Sequence, residues 1–200
     1  MRFFLLIITT ALIGMLSCSE KQEGDTSVEI PAKSSSSSPY AEEVLVDIDL
    51  NEYLQGKVKV LDAEGEFRLV EHLSPKKYYA FYETGSFCQP CHEFSPALNT
   101  FYEVYQELYG DQFALIVISY DITDELTKEY AQKKMKNLPH LNYEDKKTLK
   151  NELPFLKEVY PNLIITDARG KVLKSSFDKY RRFHGPEVAM NYLKSKLEEK

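Results

Sequence analysis

Two of the chain's three cysteines, Cys88 and Cys91, sit in the stretch GSFCQPCHEF with two residues between them. A C-x-x-C pair in a strand-to-helix context is the spacing for thiol–disulfide exchange. With His92 included, the same letters read C-x-x-C-H, the attachment signature of a c-type haem. A third possibility is a metal site on the two cysteines and His92, for instance one that carries copper. A fourth is a purely structural disulfide. So short a loop would remove only about 2 kcal/mol of unfolded-chain entropy, against about 3 for a 15-residue loop. A staple here would stabilise little.

The elements that must position the pair favour the first chemistry. Tyr78 to Tyr82 is an unbroken apolar and aromatic run, as expected of a central strand buried on both faces. Thr84 to Phe87 make a short loop, and from Gln89 to Leu108 apolar residues recur at helical spacing: Phe94, Leu98, Phe101, Tyr102, Tyr105 and Leu108. Cys88 therefore falls at a helix N-terminus, where unpaired backbone N–H groups and the helix dipole stabilise an anion. Such placement lowers a thiol pKa from about 8.5 to roughly 3.5–7.5. Pro90 is tolerated in the first turn because its missing N–H is not needed there. Cys91, one turn on, is placed to resolve a mixed disulfide. His92 shares the helical face of Cys88, where an imidazolium would favour the thiolate. Haem attachment would require an open helical pocket instead of a buried strand running into the motif. For metals, His72, His140 and His184 show no ligand spacing, and a four-ligand zinc pattern is absent. Neither cofactor nor metal is expected, because the dithiol is itself the redox group.

The rest of the chain supplies the scaffold. Lys57–Leu61 and Phe67–Val70, joined by Asp62–Gly65, predict an N-terminal β-hairpin. Gly110 is read as the stop of the cysteine helix. Phe113–Ile118 is a second buried strand, and Asp121 to Met135 a helix capped by Asp121 or Thr123. A shorter helix is expected over Leu149–Val159, weakened by Pro154. Asn162–Thr166 and Lys171–Lys174 form a hairpin about Asp167–Gly170. Gly185-Pro186 opens a last helix to about Glu198. The order is that of an α/β domain with a mixed sheet.

Outside this domain, Arg2 precedes an apolar run, Phe3 to Leu16, which is too short for a membrane-spanning helix but fits a secretory signal. Its end, Met15-Leu16-Ser17-Cys18, resembles a bacterial lipobox, with Met15 where Leu or Val is usual. The expected organisation is a signal peptide over 1–17, a Ser-rich tether over 18–43 with Cys18 as its lipidated first residue, and a domain over 44–200. About 25 residues of flexible coil span roughly 25–30 Å, enough to hold a domain off a membrane surface. If Cys18 is acylated, Cys88 and Cys91 have only each other, in an oxidising compartment. The formal charge of −6, with lysines mixed among acids, gives no basic stripe for nucleic acid.

These features together resemble the thioredoxin superfamily. Pro96 lies five residues after Cys91, where the family bends its active-site helix, and Tyr160-Pro161 opens the final hairpin, where the family places a cis-proline. The order LQGKVKVLDAEGEF, CQPCHEFSPALNTFYEVYQE, ALIVISYD, LPHLNYEDKK is similar to the tryparedoxin and nucleoredoxin branch over about residues 54–196. Cytochrome-maturation thioredoxins are comparably similar. The resemblance implies a thioredoxin-like fold, with a mixed central sheet flanked by helices. It implies Cys88 as attacking thiolate, Cys91 as resolving thiol, Pro161 as the cis-proline, and the Tyr160 backbone pairing with an extended substrate beside Phe87. Taken with the signal-like run and the lipobox-like end at Cys18, it points to a monomer in the bacterial envelope, lipid-anchored and facing the periplasm, acting on exported proteins and exchanging electrons with an envelope dithiol. Two positions depart from the family. Phe87 stands where tryptophan is usual, and Tyr82 stands where thioredoxins often carry a buried acid.

Overall fold

The computed structural model describes residues 47–199. Among these residues seven strands form one mixed sheet, in the order β2 (Phe67–Leu69), β1 (Val58–Leu61), β5 (His140–Leu141), β4 (Phe113–Ser119), β3 (Tyr78–Thr84), β6 (Asn162–Asp167) and β7 (Val172–Ser175). The predicted N-terminal hairpin is β1 (Val58–Leu61) with β2 (Phe67–Leu69). At the centre lie β3 (Tyr78–Thr84) and β4 (Phe113–Ser119), parallel to each other and buried at every position. That is the environment their unbroken apolar runs require. Antiparallel β6 (Asn162–Asp167) flanks β3, and β7 (Val172–Ser175) closes that edge.

Strand alternation divides β3 between two cores. Tyr78, Ala80 and Tyr82 pack with Cys91, Phe94, Leu98 and Phe101 of α2 (Gln89–Tyr109), Tyr130 of α3 (Asp124–Lys134), and Ala189, Leu193 and Leu197 of α5 (Pro186–Glu198). Tyr79 and Phe81 face the opposite layer, with Leu50 of α1 (Leu50–Tyr53) and Leu149 of α4 (Lys146–Glu152). Among the described residues no helix is long and apolar enough to cross a membrane. Cys18 and the expected signal and tether segments lie outside the described residues.

Several details differ from the sequence reading. The expected 149–159 helix is instead a 3-10 turn (Tyr143–Asp145) leading into α4, which ends before Pro154. A proline cannot follow a helical residue without disfavouring its α conformation, so the helix moves upstream. Gly110 does end α2, but with φ −64, so its freedom to adopt a left-handed backbone is not used. Thr123 caps α3 through the Leu126 N–H, which leaves Asp121 free for another role.

The short β5 (His140–Leu141) went unread in the sequence, and it buries a histidine. His140 is wholly inaccessible, its ring 5.1 Å from that of Phe67 and in register with Lys59 of β1. Lys59 is also buried, paired with Asp124 and lying 4.0 Å from the Phe67 ring centre. Neither His140 ring nitrogen makes a hydrogen bond of good geometry among the described residues. Burial first, then the Lys59 charge, pulls the imidazole down to about 3. A histidine with a depressed pKa binds a proton more readily when unfolded. Its contribution is therefore lost as pH falls from about 6.5 toward 3, at about 1.4 kcal/mol per pH unit. We expect His140→Leu to lessen the fall in urea-measured stability between pH 7 and pH 4.5 by about 2 kcal/mol. An unchanged pH slope in the variant would show that His140 takes up its proton in the fold as readily as in the unfolded chain.

Candidate active site

The site is assembled at the C-terminal end of β3. Cys88 is the N-cap residue of α2, with extended backbone, and its Sγ accepts the Cys91 N–H at 3.2 Å. Sulfur thus takes the place that Ser or Asp oxygen holds in an ordinary helix cap. The first intrahelical bond runs from His92 N–H to the Cys88 carbonyl, and Pro90 occupies the first turn, exposed. Cys88 and Cys91 form a disulfide, with Cα atoms 5.2 Å apart. Cys88 retains 8% of its surface and Cys91 none, so only the first sulfur can be approached from solvent. Pro96 lies inside α2 and offers no N–H to the His92 carbonyl.

Above the disulfide is an aromatic rim. Phe87 is 62% exposed, and its ring meets that of Tyr160 edge-on at 5.4 Å. The Tyr120 ring lies 5.1 Å from that of Tyr160, tilted against it. The Tyr160–Pro161 peptide is cis, and Pro161 is buried. Gly85 makes this arrangement possible, since a Cβ there would lie 2.4 Å from the Phe87 ring.

The loop before Cys88 is fixed by Asp121, which is nearly inaccessible. One carboxylate oxygen accepts both the N–H (2.8 Å) and the Oγ–H (2.6 Å) of Ser86, and the other accepts the Ser119 hydroxyl at 2.6 Å. The Lys146 ammonium in turn donates to the Ser119 and Asp121 carbonyls at 2.6 and 3.1 Å, its pKa pulled down by burial to about 8. Spatial order therefore runs from α4, through the end of β4, to the cysteine loop.

His92 is held back from solvent. Its Nε2 lies 2.6 Å from the Ser86 carbonyl, which can only accept, so Nε2 carries a proton. The ring packs 4.7 Å from that of Tyr130. Tyr130 belongs to a buried hydroxyl cluster in which Ser95 Oγ lies 3.1 Å from Tyr82 Oη and 2.9 Å from Tyr130 Oη. Tyr82 fills the position where an acid was sought, and desolvation pushes its phenol far above neutral pH. It is a hydrogen-bonding group there, not a base.

The carboxylate that β3 does carry is one residue further on. Glu83 is fully buried and, by alternation, projects to the sheet face opposite Tyr82. It accepts hydrogen bonds from the Lys157 and Glu158 amides, the Asn162 side chain and the Tyr120 hydroxyl. Sequence reasoning missed both Glu83 and Asp121. The available signal was an ionisable residue at the end of each fully apolar strand. Of the residues singled out in the sequence, Cys88, Cys91, Pro90, Phe87, Tyr160, Pro161 and His92 converge here, whereas His72, His140 and His184 lie elsewhere. Among the described residues no group of three or more His, Cys, Asp or Glu is arranged to hold a metal ion.

Comparison with known proteins agrees with this fold. A family profile described as thioredoxin-like matches residues 76–172. A thioredoxin from Wuchereria bancrofti superposes with TM-score 0.50 at 23% identity, covering 74% of this chain and 99% of its own. A thiol:disulfide interchange protein from Bacteroides sp. gives 0.50 at 18%, covering 72% and 88%. Tryparedoxin II complexed with glutathionylspermidine gives 0.50 at 24%, covering 64% and 88%. At these identities the likeness is one of fold. No curated protein matches the sequence.

One Asp121 oxygen holds both Ser86 donors, so an amide keeps them only by turning its hydrogens toward the Ser119 hydroxyl, and all three bonds lose their charge assistance. Asp121→Asn is expected to lower stability by about 1–3 kcal/mol, the scale of hydrogen bonds to a charged group. Urea unfolding measures it, and a variant as stable as the parent would mean that the Ser86 loop is held by something else.

Proposed function

The chain is a thioredoxin-superfamily protein, and on that premise we propose that it is a thiol–disulfide oxidoreductase working through Cys88 and Cys91. One observation carries the reading: the pair bridges a helix N-terminus, with Cys88 sulfur accepting a backbone N–H and Cys91 sealed beneath it. In the reduced protein the same N–H and the helix dipole favour the Cys88 thiolate. That thiolate attacks one sulfur of a substrate disulfide, forming a mixed disulfide and expelling the other substrate sulfur as thiolate. Cys91 then loses its proton and attacks Cys88 Sγ. The second substrate thiolate leaves, and the Cys88–Cys91 bond closes with two electrons transferred. A second dithiol must reduce the pair before the next turnover. The reverse sequence oxidises a substrate dithiol.

Phe87 and Tyr160 form the wall against which a substrate segment lies, with the Tyr160 backbone next to Pro161 as its pairing edge. Pro90 and His92 tune Cys88, the histidine through the Ser86 carbonyl it holds. We place the protein in a bacterial envelope, anchored through acylated Cys18 and facing the periplasm. There it would act on exported proteins and exchange electrons with an envelope dithiol. The signal-like Phe3–Leu16 run and the lipobox-like end support this placement.

Cysteine variants, thiol labelling and redox measurements test the proposal. Cys91→Ser should accumulate a mixed disulfide with a protein substrate, and Cys88→Ser should not. The reduced parent should be alkylated at Cys88 in preference to Cys91 and should reduce insulin with dithiothreitol as donor. Failure to exchange with any dithiol would leave a redox-idle binding module. A redox titration assigns direction, a value near about −270 mV marking a reductant and near about −120 mV an oxidant. For the anchor, Cys18→Ser should move the protein from the membrane to the soluble fraction and abolish labelling by radioactive palmitate. Retention of label would place acylation elsewhere.

A further inference from the structure

Glu83 is a fully inaccessible carboxylate whose hydrogen-bond donors are all uncharged. Such a group is costly unless it is saturated with donors, and it is saturated. Its Oε1 accepts from Tyr120 Oη (2.9 Å), Lys157 N (3.0 Å) and Glu158 N (2.7 Å), and its Oε2 accepts from Asn162 Nδ2 (2.7 Å). The Lys157 ammonium turns away, donating to the Pro154 carbonyl. Burial and the adjacent carboxylate raise the Tyr120 phenol, which stays a donor. Burial raises the Glu83 carboxyl above its usual range, and the four donors around it work the other way, favouring the ionised form.

The donors have a common purpose in sequence. Lys157 and Glu158 lie just before Tyr160-Pro161, and Asn162 lies just after. Glu158 has a left-handed backbone, φ 55, which a non-glycine residue keeps only when neighbouring contacts hold it. The fourth donor, Tyr120, packs its ring on Tyr160. One carboxylate therefore clamps both ends of the segment that presents the substrate-pairing edge. It does so from the sheet face opposite the cysteine core.

We propose that Glu83 is a positioning residue for substrate recognition: its buried carboxylate holds the 157–162 loop so that Tyr160 and Pro161 flank the disulfide, and it takes no part in the acid–base chemistry of the cysteines. This rests on the redox reading of the site. It makes affinity for a protein disulfide separable from the reactivity of Cys88.

The test is Glu83→Gln, which keeps the shape but turns two hydrogens toward the donors. Loss of one charge-assisted bond corresponds to about a tenfold change. We therefore expect KM for insulin to rise about tenfold or more, with kcat within about threefold. The pH profile of iodoacetamide alkylation at Cys88 should match the parent, and amide exchange at Lys157 and Glu158 should accelerate. Glu83→Asp should recover part of the KM. Should Glu83→Gln fail to fold, Tyr120→Phe removes one donor while keeping the ring on Tyr160, and a rise in KM of about threefold is expected. Unchanged KM in a folded variant would overturn the proposal, as would unchanged exchange at Lys157 and Glu158. A shifted alkylation profile would also overturn it, since it would place Glu83 in the cysteine chemistry. A parent inert toward insulin and toward every dithiol would instead remove the redox reading, and the recognition role with it.

Discussion

The hydrogen bond from the Cys91 amide to Cys88 sulfur is the contact on which the rest of the site depends. A helix leaves its first N–H groups without intrahelical partners. Here one of them is satisfied by the Cys88 sulfur, the atom proposed as the nucleophile. Such a bond needs the sulfur at the cap position, with extended backbone immediately before a helix. Everything upstream serves that requirement. The aromatic strand β3 aims the chain at the helix, Gly85 lets it turn beneath Phe87, and Asp121 fixes Ser86 two residues before the cysteine.

Two buried carboxylates then set the two sides of the site, and they work alike. Asp121 collects donors from the cysteine loop and Glu83 from the proline loop, and in each the side-chain carboxylate is the acceptor. Loops have few other means of being rigid, since they lack the repeating backbone ladders of helix and sheet. A short acid at a strand end can bind several amides at once and so replace a ladder locally. Removing either acid leaves a cluster of donors facing each other, so these sites should tolerate substitution less well than their distance from the sulfurs suggests.

Much of this was legible in the sequence, because the governing signals are local. An unbroken apolar run implies a central strand, a C-x-x-C after it implies a capped helix, and a proline before Asn162–Thr166 marks the facing loop. What escaped was non-local. Asp121 reads equally well as a cap for α3, a role that Thr123 fills. Glu83 reads as the polar end of a strand until its partners 37 to 79 residues away are brought to it. His140 has no periodic neighbours in a two-residue strand, and its burial follows only from β5 being enclosed by β1 and β4. The helix near Pro154 was misplaced because the apolar spacing of Leu149, Leu153 and Leu156 continues past the residue where the backbone must leave the helix.

The distribution of acids also bears on how the resolving cysteine loses its proton. On the cysteine side of β3 the position nearest an acid's usual place holds Tyr82, whose phenol is raised by burial and bonded to Ser95. Glu83 projects to the other face and is saturated with donors, and so is Asp121. None of these groups is free to act as a base toward Cys91. On the proposed reading the helix N-terminus favours the Cys88 thiolate, whereas the carboxylates are committed to shape. In the proposed reaction the proton of Cys91 would then pass to the departing substrate thiolate or to water. That ties the resolving step to the substrate's own basicity, and a leaving thiol of higher pKa would accept the proton while departing more slowly.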